Sequence, residues 1–306
     1  MMRQLFAIAT IASMAAACNT ANKQSAEQPK EDVLAAHVDS TVNPGDDFFT
    51  FSNGKWIKNN PIPSDETSWG IANLVNDELY TRKLTINENA AKKGRTGIES
   101  MIGNFWLSGM DTNAINQAGV TPLKAELEAI QAVQTSEQLI KQAASMHGYG
   151  VNVFYSEGVG QDEMNSEVMA YYLMQGGLGM PNRDYYFNTD IRTTTVRNTY
   201  PKYIAKVFEL MGNDTATAQA KAKAILGFET KLAAASRKLQ DLRDPYKNYN
   251  KMSLGNMVKD YPNSQWDVAL KTIGVKHIDS VIVGQPEFLK ALNGLVKTES
   301  IQTLKD

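Results

Sequence analysis

The side chains that most often carry hydrolytic chemistry are few in this chain. It has three histidines, His37, His147 and His277, and none has a second histidine within helical reach. The His-Glu-x-x-His pattern, which places two imidazoles on zinc and a Glu beside them as base, is absent, and so is a Gly-x-Ser-x-Gly elbow. We therefore interpret the histidines as structural or solvated, and we predict that this chain binds no metal and contains no catalytic residue.

One run of charged and aromatic residues is the strongest candidate for a site. Residues 182–186 read NRDYY and follow a Gly-rich stretch at 176–179, which lacks the Lys-Ser/Thr pair of a nucleotide-binding loop. Arg183 carries a fixed fork of donors, and Asp184 can accept from it or from the backbone. We interpret this run as a buried ion-pair turn, and the alternative is that it lines a substrate chamber. The candidates, including possible partners farther along the chain, are Arg183, Asp184, Tyr185, Glu229 and Arg243.

Two tryptophans near the start of the folded part are further candidates. Trp56 and Trp69 are interpreted as core or interface packing rather than as stacking platforms for a ligand. Asp46 and Asp47 precede a Phe pair, and we interpret them as caps of the helix that carries Trp56 rather than as a metal pair.

The N-terminus predicts export. Residues 1–17 have a positive start, an apolar stretch and three alanines before Cys18, which is the one cysteine of the chain. A cysteine at this place is typical of a bacterial lipoprotein, although Ala15 stands where a larger aliphatic residue is usual. We predict a lipoprotein signal peptide at 1–17, a lipidated Cys18 and a flexible tether at 18–42, and the alternative is a plain secretory signal. The protein is then expected in the cell envelope, in the periplasm or at the outer membrane or surface.

Composition excludes some partners. The chain has 306 residues, of which 42% are hydrophobic and 21% charged, and its net charge is -2. These values fit a folded globular protein and give no electrostatic reason to expect nucleic acid. We expect contact with a membrane through the lipid anchor alone.

Helical periodicity dominates the rest of the chain. It predicts a mainly α, multi-helix lobe with a small β-hairpin element at 151–159 and 167–175. A further strand is expected at 280–283, with a helix opening at Pro286. The remaining predicted helices begin near Ile71, Ile98, Pro122, Ser136, Tyr200 and Thr215.

Five blocks, in order, resemble the N-terminal region of the neprilysin-like (neprilysin and endothelin-converting enzyme) zinc metallopeptidases. The first, at 42–79, reads VNPGDDFFTFSNGKWIKNNPIPSDETSWGIANLVNDEL, and the most distinctive, at 174–187, reads MQGGLGMPNRDYYF. The other three lie at 104–130, 225–257 and 280–292.

The resemblance implies a role for residues 43–306. They would form the N-terminal lid domain of a two-lobed endopeptidase, with the substrate chamber on this side and zinc on a C-terminal catalytic lobe that this chain lacks. The resemblance thus implies zinc as the cofactor of the full-length enzyme, short peptides as its substrates, and a chain that is truncated and inactive alone. The alternative function is a non-enzymatic helical surface lipoprotein that binds peptides or oligosaccharides.

Overall fold

The computed structural model describes residues 32–93 and 96–306, so the predicted signal peptide and Cys18 lie outside the described residues. The chain divides into two compact units, 1–112 and 113–306. In the described ranges, no helix is both long enough and apolar enough to cross a membrane.

The first unit begins with two helices, α1 (Val33–His37) and α2 (Phe48–Asn59). Asp47 caps α2, as the sequence predicts, by accepting a hydrogen bond from the backbone N–H of Thr50 at 2.9 Å. Helix α1 lies inside the segment 18–42 for which the sequence predicts a tether, so helical structure begins before that expected boundary.

Gly54 and Lys58 of α2 are explained by packing against Asp39. The Asp39 carboxylate accepts from Lys58 Nζ at 2.6 Å, and this hydrogen bond, with those from Thr41, lowers the pKa of Asp39 to about 2. Gly54 faces the same residue, where an added Cβ would lie 2.9 Å from the Asp39 Cβ. Glycine and lysine at these two positions therefore let the chain before α2 lie directly on that helix.

The first unit ends with two longer helices that pack on each other, α3 (Ile71–Lys93) and α4 (Gly97–Met110). The closest approach is at Gly103, where a Cβ would lie 2.5 Å from the carbonyl oxygen of Ala90. The sequence predicts apolar faces on both helices, but much of this apolar surface remains exposed. Phe105 is 84% exposed and Ile98 is 75% exposed.

The second unit is built from helices around a small sheet. Its helices are α5 (Thr112–Ala118), α6 (Lys124–Gln131), α7 (Ser136–His147), α8 (Asp184–Phe187), α9 (Ile191–Leu210), α10 (Thr215–Ala235), α11 (Leu254–Asp260), α12 (Trp266–Thr272), α13 (Pro286–Thr298) and α14 (Ile301–Lys305). Short 3-10 turns lie at Thr121–Leu123, Asp241–Arg243 and Pro262–Ser264.

The sheet has four strands in the order β1-β2-β4-β3. The predicted hairpin is formed by β1 (Tyr155–Asp162) and β2 (Asn165–Gln175), which pair antiparallel. The predicted strand β4 (Ser280–Val283) joins β2 in parallel, and β3 (Asn250–Ser253), which the sequence analysis missed, pairs antiparallel with β4.

The core of the second unit lies where the central strands meet the helices. Leu173 of β2 and Ile282 of β4 are fully buried, as are Leu232 of α10 and Phe288 of α13. Burial on both faces explains why β4 has a continuous branched sequence, SVIV, with no polar alternation after its first residue.

One helix cap and one helix start differ from those predicted. Thr135 rather than Ser136 caps α7, and Gln138 completes a capping box with it. Helix α9 begins at Ile191 after a cap at Asp190, well before the predicted start at Tyr200, because the Asp190 side chain accepts from the Thr193 N–H at 3.0 Å. Helix α10 begins at Thr215, as predicted, and Asp214 is its cap.

The contact between α3 and α4 generates a prediction with a matched control. Gly103→Ala adds a methyl group against a backbone carbonyl that cannot move aside, so we expect it to lower the free energy of unfolding by about 1 to 3 kcal/mol. Gly109→Ala, in the same helix with open space at its Cβ, is expected to raise it by about 0.5 to 1 kcal/mol, because alanine favours helix. Urea unfolding followed by circular dichroism measures both. Equal stability of the two variants would show that α3 and α4 do not approach at Gly103.

Candidate functional site

The Gly-rich segment after β2 is shaped by close packing and not by a phosphate. A Cβ on Gly176 would lie 2.6 Å from Ser156 Oγ, and Gly177 has a φ of +69° with the Phe154 backbone 2.7 Å from its Cβ position. A Cβ on Gly179 would lie 1.8 Å from the Tyr200 hydroxyl oxygen. No other residue type fits these three positions, and the segment leads the chain directly to a buried carboxylate.

That carboxylate belongs to Glu229 of α10, which is 8% exposed. Its Oε2 accepts from the Tyr186 hydroxyl at 2.7 Å, and its Oε1 accepts from the Tyr200 hydroxyl at 2.9 Å and from the Gly179 N–H at 3.3 Å. Burial raises the pKa of Glu229, and the hydrogen bonds from the two tyrosines and Gly179 oppose that rise. We call this arrangement of Glu229, Tyr186, Tyr200 and Gly179 the Glu229 cluster.

The direction of one hydrogen bond fixes the role of Tyr186. The Met180 N–H donates to the Tyr186 hydroxyl oxygen at 3.2 Å, so the hydroxyl hydrogen is free to point at Glu229. Burial and the neighbouring Glu229 raise the pKa of both Tyr186 and Tyr200, so both remain donors at any ordinary pH. The Glu229 cluster is therefore a carboxylate held by neutral donors.

The predicted ion-pair turn is wrong in its partners. Arg183 is half-buried with its guanidinium 5.0 Å from the ring centre of Phe187, and the donors to Glu229 are Tyr186, Tyr200 and Gly179 instead. The Asp184 N–H is held by Asn182 Oδ1 at 2.9 Å, and the Tyr185 carbonyl accepts from Arg197 at 3.0 Å.

Arg243 and the two tryptophans also lie apart from the Glu229 cluster. Arg243 is exposed in a 3-10 turn, and the neighbouring Asp244 accepts from the backbone N–H groups of the residues that follow it. In the first unit, Trp56 is half-buried with its ring edge-on to His37 at 6.4 Å, and Trp69 is also half-buried. The packing role predicted for both tryptophans stays a prediction.

Of the two tyrosines that contact Glu229, Tyr186 lies in the candidate run 182–186 but was not singled out. Sequence reasoning missed Tyr200, which is twenty-nine residues from Glu229 and lies on a different helix. The available signal was the third glycine of the Gly-rich segment, because a glycine that does not form a turn often marks a close approach of another group. Arg183 was chosen as a candidate because of its charge, whereas in the structure Glu229 accepts hydrogen bonds from two tyrosine hydroxyls.

A cavity of about 410 Å³ opens beside the Glu229 cluster, within the second unit. Its walls are largely apolar, with Glu229 and Gly179 on one side. Phe154 and Phe228 meet edge to face there, with ring centres 5.8 Å apart. Other wall residues are Leu139, Ala143, Met146 and Leu178.

A second buried polar group joins α7 to the hairpin. The His147 side chain is fully buried and stacks on Tyr155, with ring centres 4.4 Å apart. Its Nδ1 lies 3.4 Å from Glu157 Oε1, and Glu157 also accepts a short hydrogen bond from Tyr171. His147 Nε2 lies 3.0 Å from the Val153 N–H and 2.8 Å from the Val153 carbonyl oxygen, so it can accept from the first or, when protonated, donate to the second.

The pKa shifts of this pair favour the charged forms. Burial lowers the pKa of His147, but the hydrogen bonds to Glu157 and to the Val153 carbonyl outweigh it, so the pKa is raised. Burial raises the pKa of Glu157, but the hydrogen bonds from His147 and Tyr171 outweigh that effect and the pKa is lowered. His147 is thus a structural cation at mildly acid pH.

The donors present do not fit a zinc site. Within residues 32–93 and 96–306, no three His, Cys, Asp or Glu side chains come together as a group able to hold a metal ion. A hydrolytic zinc ion takes three protein ligands, and His147 uses its ring nitrogens on Val153 and Glu157.

Comparison with known proteins identifies a family for most of the chain. A family model described as Peptidase family M13 matches residues 44–306. Neprilysin-3 of Drosophila melanogaster is 29% identical over 275 residues, which cover 85% of this chain and 35% of that protein. Endothelin-converting enzyme 1 of Homo sapiens is 26% identical over 278 residues, which cover 87% of this chain and 36% of that protein. The chain therefore spans little more than a third of the length of these relatives.

Solved structures give the same relationship. The crystal structure of Mycobacterium tuberculosis zinc metalloprotease ZMP1 in complex with inhibitor matches with a TM-score of 0.79 and 26% identity, covering 88% of this chain and 42% of that one. The crystal structure of PEPO from Lactobacillus rhamnosis matches with a TM-score of 0.70 and 17% identity, covering 86% and 41%, and shares the fold. The predicted mainly helical, neprilysin-like N-terminal fold is confirmed.

The His147–Glu157 pair generates a pH prediction. Because the pKa of His147 is raised in the folded state, its stabilisation is complete below the unfolded pKa of about 6.5 and is lost as pH rises through the folded value. Because the pKa of Glu157 is lowered, its stabilisation is present above about 4.3 and is lost as pH falls through the folded value. The pair therefore stabilises most between these two values.

Glu157→Gln tests this window. We expect the loss in unfolding free energy to be larger at about pH 5.5 than at pH 8 by about 1 kcal/mol, since a hydrogen bond between charged groups is stronger than a neutral one. Urea unfolding at the two pH values measures it, with Glu167→Gln, an exposed position on β2, as the control. A loss that is the same at both pH values would show that His147 is not charged beside Glu157.

Proposed function

The chain belongs to peptidase family M13, and from this premise we propose that it forms the helical lobe over the substrate chamber of a zinc metalloendopeptidase that hydrolyses short peptides. The observation that carries the proposal is the family match, which extends over residues 44–306. Similarity to a zinc metalloprotease in fold and in sequence supports it.

We assign zinc binding to the whole enzyme and not to this chain. The family supports a zinc cofactor, and the described residues do not gather three ligands for it. We therefore propose that this chain binds no zinc and that the metal, with its catalytic base, lies on a second lobe. The chain's own part is to enclose the chamber and limit access to short peptides.

The apolar face of α3 and α4 supports such a partner lobe. Its exposed side chains include Phe105, Ile98 and Met101, of which Met101 is 72% exposed. Contiguous exposed apolar surface of this kind marks interaction surfaces in soluble proteins. In our proposal, the zinc-bearing lobe covers this face.

The N-terminus supports a location for the enzyme. We propose that residues 1–17 direct export, that Cys18 carries the lipid, and that the segment after it tethers the peptidase in the cell envelope of a bacterium. The lipid would then be the one contact with a membrane, and peptides outside the cytoplasm the substrates.

An activity assay tests the proposal. We expect the purified chain with added Zn²⁺ to show no turnover of short quenched peptides, because residues 32–93 and 96–306 bring no three metal ligands together. The polypeptide encoded by the whole reading frame that contains this chain is expected to cleave the same peptides, to be silenced by a chelator, and to leave a folded protein substrate intact.

Two results would contradict the proposal. Turnover by the purified chain that a chelator abolishes would place the metal site within it. A whole reading-frame product that binds peptides and never cleaves them would favour the non-enzymatic lipoprotein.

A further inference from the structure

The cavity beside Glu229 has the size and composition of a ligand site. Its volume of about 410 Å³ lies within the range of about 300 to 1,000 Å³ that is usual for small-molecule pockets. Such pockets have apolar walls and a few placed polar groups, and here the placed group is a carboxylate that three neighbours hold rigidly.

The charge of that carboxylate has no cation to balance it. Among residues 32–93 and 96–306, Glu229 forms no ion pair, and its donors are two hydroxyls and one backbone N–H. Lys305 also lies on the cavity wall, but its ammonium donates to the Gln131 carbonyl at 2.7 Å. Buried charges in proteins are ordinarily paired, so Glu229 lacks a partner cation, which a ligand can bring.

The geometry of the Glu229 cluster favours a ligand with a single ammonium group over a guanidinium that donates two hydrogen bonds side by side. A carboxylate has about four acceptor positions. Oε1 accepts from Tyr200 and Gly179, whereas Oε2 accepts from Tyr186 alone. A bidentate guanidinium needs both oxygens at once, whereas a compact ammonium group needs only the one acceptor position that these three donors leave open.

The aromatic wall suits an alkyl chain that ends in a cation. Phe154 has a φ of 67°, a left-handed backbone that is rare for a bulky residue. Gly177 packs directly on this backbone, and the Phe154 ring meets Phe228 on the wall of the cavity. Strained residues of this kind are common at ligand sites, and aromatic faces attract both methylene groups and ammonium ions.

We propose that this cavity binds a primary alkylammonium group, with its chain along Phe154 and Phe228 and its nitrogen on Glu229. The ligand chemistry can come from a free alkylamine or from a lysine side chain of a peptide. Binding at this site does not depend on the peptidase activity proposed above, so the two proposals fail separately.

Three matched probes test the charge requirement. Pentylammonium, pentanol and pentanoate share one chain and differ at its end, and isothermal titration calorimetry with the chain at neutral pH compares them. We expect pentylammonium to bind about tenfold or more tightly than pentanol, because it adds a charge-assisted hydrogen bond, and pentanoate not to bind.

Two variants locate the site. Glu229→Gln removes the charge and is expected to abolish the preference for pentylammonium, and Glu126→Gln, an exposed position, is the control for the loss of one negative charge. Met146→Trp fills the cavity from a half-buried wall position and keeps every residue of the Glu229 cluster unchanged, and it is expected to abolish binding of all three probes. If Glu229→Gln does not fold, binding of the three probes to the unsubstituted chain and to Met146→Trp still tests the proposal.

The source of the ammonium is decided by a further pair of ligands. The capped tripeptide acetyl-Gly-Lys-Gly-amide and the same peptide with an acetylated lysine differ in one charge. Binding of the first but not the second supports a lysine side chain, and binding of pentylammonium without either peptide supports a free amine. Equal affinity for pentylammonium and pentanol, no binding of pentylammonium, or unchanged binding to Met146→Trp would overturn the proposal.

Discussion

A buried carboxylate organises the centre of the second unit. Glu229 of α10 receives Tyr200 from α9, and it receives Tyr186 and Gly179 from the segment after β2. A charge in this position is costly unless its acceptors are satisfied, so these contacts form together or not at all. This requirement fixes the path of the chain between the sheet and the long helices, and it shapes one wall of the cavity.

Much of the fold could be predicted from local patterns. The hairpin, the buried strand β4 and the helix that follows Pro286 carry their own periodicity and caps, so neighbours in sequence specify them. Strand β3 was missed because NKMS is short and polar, and it is a strand through its pairing with β4. The sequence predicts apolar faces on α3 and α4, and much of that apolar surface is exposed in the structure.

The site could be predicted less well, because its partners are distant in sequence. The sequence suggests Glu229 as an ion-pair partner of Arg183, because a buried carboxylate is most simply stabilised by an opposite charge. The structure satisfies Glu229 with tyrosine hydroxyls instead, and hydroxyls give no charge pattern to follow. The Gly-rich segment did indicate this contact, because a side chain at position 179 would block the Tyr200 hydroxyl from reaching Glu229.

The segment after β2 must approach Glu229 and Tyr200 without a side chain. Urea unfolding of Gly179→Ala against Gly227→Ala measures this requirement, because Gly227 lies on the same helix as Glu229 with open space at its Cβ. We expect Gly179→Ala to lose about 3 kcal/mol or more, through overpacking and a displaced hydrogen bond, and Gly227→Ala to gain about 0.5 to 1 kcal/mol. A Gly179→Ala chain as stable as the unsubstituted one would contradict the account.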